Sequence, residues 1–314
     1  MPIGILLVSP LKQIERGLTP EFRVHHLPAP PERAMFLAQT GPQIRGIVTY
    51  TGSGVQVDAA LLAALPHVEI VAVMGAGYET VDMTATRARG IIVTNAGASN
   101  AVDVAEHAFG LIIDLARGIT AGDRYVRAGT WRAKGRMPLT HRIAGRKLGI
   151  VGLGNIGLEL AARATAFGMT VMYHNRKPRP ALAYAYLPTV VELARQVDFL
   201  VVATPGGPAT QHLIDRDVLD ALGADGVLIN VGRGSVVDEA ALVAALAERR
   251  LGGAGLDVFQ NEPLVPEALL PLPNVILQPH LGGATYESAA TSMALVVDNL
   301  RAYFAGKPPL TPVD

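Results

Sequence analysis

Residues 148–157 read Leu148-Gly149-Ile150-Val151-Gly152-Leu153-Gly154-Asn155-Ile156-Gly157, a strand-like apolar run that breaks into three spaced glycines and then opens a helical pattern. In a turn that cradles a dinucleotide each glycine has its own task. Gly152 permits a tight strand-to-helix turn, Gly154 lets the backbone approach a pyrophosphate, and Gly157 lets the helix pack closely on the strand. The N–H groups and positive dipole end of the helix opening at Asn155 and Ile156 then face the phosphates.

Downstream, the helix ends at Gly168 and a second strand leads into His174-Asn175-Arg176-Lys177. An NAD-specific site usually carries an acid here, about 20 residues beyond the glycines, to bind the ribose 2′-hydroxyl. None is present. A carboxylate would repel a 2′-phosphate, whereas Asn175, Arg176 and Lys177 can hydrogen-bond one, so NADP(H) is the preferred cofactor and NAD(H) stays possible.

The pattern extends to both sides. Near-continuous apolar runs at 147–151, 170–174, 197–202, 226–231, 253–258 and 275–278 predict a parallel sheet covered on both faces, and 177–180 with two prolines predicts a loop. Upstream, strands are expected at 3–8, 46–50, 69–73 and 91–93, with helices over 57–65 and 81–89, giving a smaller α/β unit. Over 99–118, Val102, Ala105, Phe109, Ile112, Ile113 and Ala116 recur at helical spacing on a segment apolar enough to be buried between two domains. A last helix carries Met293, Val296, Val297, Leu300 and Phe304 on one stripe before Pro308 and Pro309.

Composition narrows the classes. The 314 residues suit two domains, half are hydrophobic, and Lys+Arg equals Asp+Glu at 27 each, which argues against nucleic acid as the main partner. The absence of cysteine excludes a disulfide framework, a thiol nucleophile and thiolate metal sites; no metal is expected, and a cytoplasmic location is. The first residues read as a strand rather than a signal peptide, and no apolar run approaches the ~18 residues that cross a bilayer.

Taken with the glycine turn, Asn230-Val231-Gly232-Arg233-Gly234, Leu256-Asp257-Val258-Phe259 through Glu262-Pro263, and Gln278-Pro279-His280 resemble, in order and spacing, the D-isomer-specific 2-hydroxyacid dehydrogenases over nearly the whole chain. Within that family the chain is most similar to the glyoxylate/hydroxypyruvate reductases and hydroxyphenylpyruvate reductases. The resemblance implies an α/β fold of two Rossmann-like parallel-sheet domains. A dinucleotide-binding domain, residues 99–283, is inserted in a flavodoxin-like substrate domain, residues 1–98 plus 284–314, with the active site in the cleft and a homodimer built on the cofactor domains.

Reduction of a 2-oxo acid requires a hydride donor, a cation to hold the carboxylate and polarise the carbonyl, and an acid for the developing alkoxide. By resemblance Arg233 is the cation, His280 the acid and Glu262 its partner, since a carboxylate beside an imidazole favours the imidazolium. The resemblance also places Gly75, Ala76 and Gly77 as backbone donors to the substrate carboxylate, and Thr204 and Pro205 at the cofactor's border. Val231 and Gly232 approach the nicotinamide, and Asp257 bonds its carboxamide, although a strand-end cap explains Asp257 equally. Thr51-Gly52-Ser53-Gly54 offers another wall, and Tyr78 and Met137 are candidate pocket residues. The expected activity is reduction of glyoxylate, hydroxypyruvate or phenylpyruvate-type acids. The alternative is a non-catalytic dinucleotide sensor of the same fold.

Overall fold

The computed structural model describes residues 2–10 and 12–313, apart from the side chains of Gln13 and Thr51. The chain forms two compact units: one runs to Asn100 and resumes at Thr285, the other spans Ala101–Ala284.

In the first unit the elements follow as β1 (Ile3–Leu7), α1 (Lys12–Leu18), β2 (Phe22–His26), α2 (Pro30–Thr40), β3 (Ile44–Tyr50), α3 (Ala59–Ala63), β4 (Ile70–Met74), α4 (Met83–Ala88) and β5 (Ile92–Thr94). The five strands form one sheet in the order β2-β1-β3-β4-β5, parallel throughout. Strand β2, Phe-Arg-Val-His-His, has no apolar run to announce it, because it is the sheet edge and buries only Phe22 fully. The helices expected over 57–65 and 81–89 both start later. Val57 and Val81 instead pair as a parallel bridge, and Asp58 and Asp82 then cap α3 and α4 by accepting from Leu61 N at 2.8 Å and Ala85 N at 2.9 Å.

The second unit contains α5 (Ala101–Arg117), α6 (Ile119–Arg127), α7 (Thr130–Lys134), β6 (Lys147–Val151), α8 (Asn155–Ala166), β7 (Thr170–His174), β8 (Ala185–Tyr186) and α9 (Val190–Ala194). It continues with β9 (Phe199–Val202), α10 (Arg216–Leu222), β10 (Val227–Asn230), α11 (Glu239–Ala247), β11 (Gly253–Leu256) and β12 (Val275–Leu277). Its seven parallel strands lie in the order β12-β11-β10-β9-β6-β7-β8. Strand order reverses between β6 and β9, where open α/β sheets leave a crevice at the strands' carboxyl ends.

Both faces of this sheet are covered, which explains its continuous apolar runs. Leu193, Leu219 and Leu242 from α9, α10 and α11 pack on one face. On the other, α5 and α8 bring Phe109, Ile112, Leu160 and Ala164. Helix α5 sits against α8, β10 and β11 and buries one face there, with Val104, Ala105, Ala108, Phe109, Leu111 and Ile112, while Val102 and Glu106 stay exposed. Gly255 in β11 leaves the room it needs, since a Cβ there would stand 3.2 Å from Leu115 Cδ1.

The chain returns to the first unit through α12 (Tyr286–Phe304), whose Thr285 cap accepts from Ser288 N at 2.9 Å. Val296, Val297 and Leu300 are buried against Ile5, Leu7 and Ile70. Beyond the helix, buried Asn299 accepts from Leu310 N at 2.8 Å and Thr311 N at 3.1 Å, tying the following segment back. No helix among the described residues is long and apolar enough to cross a membrane.

Candidate functional site

At the reversal point the turn after β6 lies hard against the end of β9. Gly152 has φ +97°, and a Cβ there would meet the Ala203 carbonyl and Thr204 N at 2.9 Å. Gly157 is as constrained: a Cβ would stand 2.5 Å from Gly152 O, so only glycine lets α8 begin this close to the strand. Gly154 differs, because a Cβ there would point into open space. That space belongs to a cavity of about 870 Å³ walled by Gly152, Gly154, Asn175, Arg176, Thr204 and Pro205, among others. Its size is that of a ligand pocket. Exposed Arg176 and Lys177 give it a basic rim, so the donors present fit a dinucleotide phosphate.

Asn155 and Ile156 stand at the start of α8, off the cavity wall, and Val231 and Gly232, just after β10, are also off it. Val231 is buried, and Gly232 lies against β9, where a Cβ would come within 2.6 Å of Thr204 O. Asp257 is 2% exposed and turned away from the cavity wall. Its carboxylate accepts from Leu281 N at 2.7 Å and Gly282 N at 2.8 Å, with His107 Nε2 at 3.3 Å, while its backbone oxygen accepts from His280 N at 2.9 Å. Burial pushes this carboxyl upward, but the His107 contact and the two backbone N–H groups outweigh it and hold it below the usual carboxylate range. The carboxylate therefore shapes the 280–282 turn.

Three further residues assemble beside that turn. His280 Nδ1 donates to Glu262 Oε2 at 2.7 Å, and Glu262 Oε1 accepts from Phe259 N at 3.0 Å, so both carboxylate oxygens are placed. With Glu262 an acceptor, Nδ1 carries the proton of this bond, and Nε2 is left as the ring nitrogen not engaged by Glu262. His280 itself has φ +56°, a left-handed conformation uncommon outside glycine, which His212 and Arg249 also adopt. Arg233 follows β10 and is held at both ends: Asn230 Nδ2 donates to the backbone Arg233 O at 3.0 Å, and the guanidinium Nη1 donates to Gly232 O at 2.7 Å. Gly234 then lies directly on the Phe259 backbone, where a Cβ would run into the carbonyl. That close approach sets the arginine loop beside the loop that carries Glu262.

In the first unit, Gly75-Ala76-Gly77 follows β4. Gly75 has φ +107°, Gly75 O accepts from Ala96 N at 2.8 Å, and Ala76 O accepts from Asn95 Nδ2 at 2.7 Å. Both carbonyls are thus taken from behind. Thr51–Ser53 forms a single 3-10 turn before Gly54, at φ +68°. Tyr78 is 36% exposed, and Met137, half-buried, turns its sulfur toward Gly122 on α6.

Several contributors escape a motif reading. Gly206 and Gly207 line the cavity, and a Cβ at Gly206 would meet Arg233 Cγ at 3.1 Å; the Pro-Gly-Gly-Pro run at 205–208 is the only signal in the sequence. Arg179, also on the wall, reads in sequence as one more cation of a loop. His107 lies on a helix whose periodicity is explained by packing alone.

The chain is similar to known proteins along its whole length. Residues 109–282 match the family model for the D-isomer specific 2-hydroxyacid dehydrogenase, NAD binding domain. The chain is 45% identical to a glyoxylate/hydroxypyruvate reductase A of Arabidopsis thaliana, covering 99% of both chains. It is 46% identical to a hydroxyphenylpyruvate reductase of Plectranthus scutellarioides, again over 99% of each. Among solved structures, an NADPH-dependent glyoxylate/hydroxypyruvate reductase of Sinorhizobium meliloti, in complex with NADP and malonate, superposes with a TM-score of 0.90 at 40% identity, covering 100% of this chain and 97% of that one. A glycine turn at a strand-order reversal, a histidine–glutamate pair whose glutamate loop packs on an arginine loop, and this likeness along the full length together place the chain in the D-isomer specific 2-hydroxyacid dehydrogenase family, as an oxidoreductase.

Proposed function

We propose that the protein reduces small 2-oxo acids, of the glyoxylate, hydroxypyruvate or phenylpyruvate type, to D-2-hydroxy acids with NADPH. The observation that carries this reading is the 2.7 Å bond from His280 Nδ1 to Glu262. It leaves Nε2 as the nitrogen that exchanges a proton with substrate. When bound, the nicotinamide supplies the hydride. His280 hands its Nε2 proton to the developing alkoxide, and Glu262 stabilises the charged ring and fixes its orientation. Arg233 offers a planar set of N–H donors to the substrate carboxylate and polarises the carbonyl. The N–H groups of Gly75-Ala76-Gly77 serve as further carboxylate donors. Arg176 and Lys177 on the cavity rim, with no acid among the residues that line it, favour NADPH over NADH.

His280→Ala lowers kcat about a thousandfold, within the range of a lost general acid, and leaves the Kd for NADPH, read by fluorescence titration, within about threefold. Turnover near the wild-type rate would overturn the role of His280. If the wild-type protein binds NADPH yet consumes none with any 2-oxo acid of a panel, the dinucleotide-sensor reading takes its place.

The same reading includes a homodimer. Ile119, Val126, Trp131 and Leu139 project from α6, α7 and the segment after them with exposures of 57%, 54%, 58% and 99%. Exposed apolar side chains of this kind are what a subunit contact covers, and light scattering reads the mass directly.

A further inference from the structure

Arg179 is the third cation of the loop after β7, and charge alone would make it another ligand for a 2′-phosphate. Its bonds point elsewhere. Arg179 Nη1 donates to Leu153 O at 2.7 Å, while Asn175 Oδ1 accepts from Leu153 N at 2.7 Å. Leu153 is the residue between Gly152 and Gly154, and its side chain is buried in the core. One residue of the glycine turn is therefore held at both of its backbone polar groups by side chains from one loop. The preceding peptide is tied as well, through Gly152 N to His174 O at 3.0 Å.

Peptide planarity gives this hold a consequence. In a trans peptide the C=O and the next N–H point in opposite directions. Drawing Leu153 O toward Arg179 therefore turns Gly154 N–H the other way, at the glycine whose missing Cβ leaves the cavity open. The bracket is itself stiff. Arg179 N donates to the hydroxyl of buried Tyr173 at 2.7 Å, the Tyr173 and Tyr186 rings pack 5.5 Å apart, and Tyr186 donates to Asn175 O at 3.3 Å. Pro178 and Pro180 flank Arg179 and restrict the backbone on either side.

We propose that Arg179 and Asn175 are positioning residues that lock the glycine turn in its phosphate-receiving conformation, so that Arg179 serves the part of the nucleotide common to NADPH and NADH. This rests on the reading that the cavity binds a nicotinamide dinucleotide. Arg176 and Lys177, exposed on the rim, remain the residues that tell the two apart.

The test is equilibrium binding of NADPH and NADH to the purified protein by calorimetry, alongside thermal melting without nucleotide. Arg179→Ala raises both Kd values by the same factor, about 10-fold, with the Tm unchanged, whereas Arg176→Ala raises the Kd for NADPH alone. Asn175→Asp keeps the acceptor for Leu153 N but adds charge at the rim; it weakens NADPH about 10-fold and leaves NADH within about threefold. If Arg179→Ala lowers the Tm, Arg179→Gln retains an N–H donor for Leu153 O and restores NADH binding. A selective loss of NADPH in Arg179→Ala would make Arg179 a phosphate ligand and overturn the proposal. So would unchanged affinity for both nucleotides, or a natively melting Arg179→Gln that still fails to bind NADH. If wild type binds the two nucleotides equally and Arg176→Ala treats them alike, the NADPH preference fails, while the NADH arm still decides the role of Arg179.

Discussion

Two glycine-rich turns follow parallel strands, Gly152–Gly157 after β6 and Gly75–Gly77 after β4, and they use glycine for different reasons. At Gly152 and Gly157 a side chain has nowhere to go, because backbone atoms stand 2.9 and 2.5 Å from where its Cβ would sit. At Gly75 the surroundings are open and the demand is conformational alone, a φ of +107°, whereas Gly152 combines a φ of +97° with its crowding. Gly154 has neither constraint: its φ is −89° and its Cβ direction is empty. Packing thus fixes the outer two glycines of the first turn, and the middle one is explained by keeping space for a ligand. A third turn, 280–282, is shaped by a carboxylate, with Asp257 gripping two consecutive N–H groups.

The differences translate into a graded series of stability effects. Gly157→Ala drives a Cβ into the Gly152 carbonyl, costs about 3 kcal/mol, and lowers the Tm by roughly 6–12 °C. A melting point within a degree of wild type would show that α8 can shift, and that the glycine is not there for packing. Asp257→Asn comes next, since an amide can accept from only one of Leu281 and Gly282 and sets a donor against the other, at about 2 kcal/mol at neutral pH.

The pH dependence of that loss has a definite sign. Because the folded carboxyl is held below its usual range, its contribution is complete at pH above the ordinary carboxyl value of about 4 and disappears as pH falls further, through the folded value. Urea melts of wild type and Asp257→Asn therefore differ most near neutrality and converge in acid. A gap that widened in acid would contradict the geometry.

Gly75→Ala meets no clash but adopts a left-handed conformation, at about 1–2 kcal/mol. It raises KM for 2-oxo acids several-fold while leaving the Kd for NADPH within about twofold, and a change confined to NADPH would detach the 75–77 loop from carboxylate binding. The smallest change in stability belongs to Gly154→Ala, whose methyl enters the cavity. Its Tm stays within about 1 °C of wild type, and its affinity for NADPH falls roughly 10-fold. Unchanged affinity would place the nucleotide elsewhere.

Where burial on both faces or a tight turn imposed one residue type, the sequence was readable. Strands β6 and β7 begin and end where their apolar runs do, at 147–151 and 170–174, because hydrophobic residues had to fill both faces. Edge strands β2 and β8 lack that constraint and left no pattern. The family's motif order singled out Arg233, Glu262 and His280, and the last two share a 2.7 Å bond across 18 residues of chain. Side-chain direction was not readable. Arg179 reads only as one more loop cation and Asp257 as a ligand or equally a strand-end cap, and it takes the fold to show their bonds to Leu153, 26 residues away, and to Leu281 and Gly282, 24 and 25 away. Such choices depend on which backbone groups the fold leaves needing partners.

The return of the chain through α12 also orders events in time. On a ribosome, residues 101–284 emerge with every strand and helix of the second unit before any of α12 exists. The first unit, begun earlier, must wait with Ile5, Leu7 and Ile70 lacking the cover of Val296, Val297 and Leu300. The unit whose synthesis starts first is therefore the one completed last, and one face of its sheet stays without the cover of α12 until then.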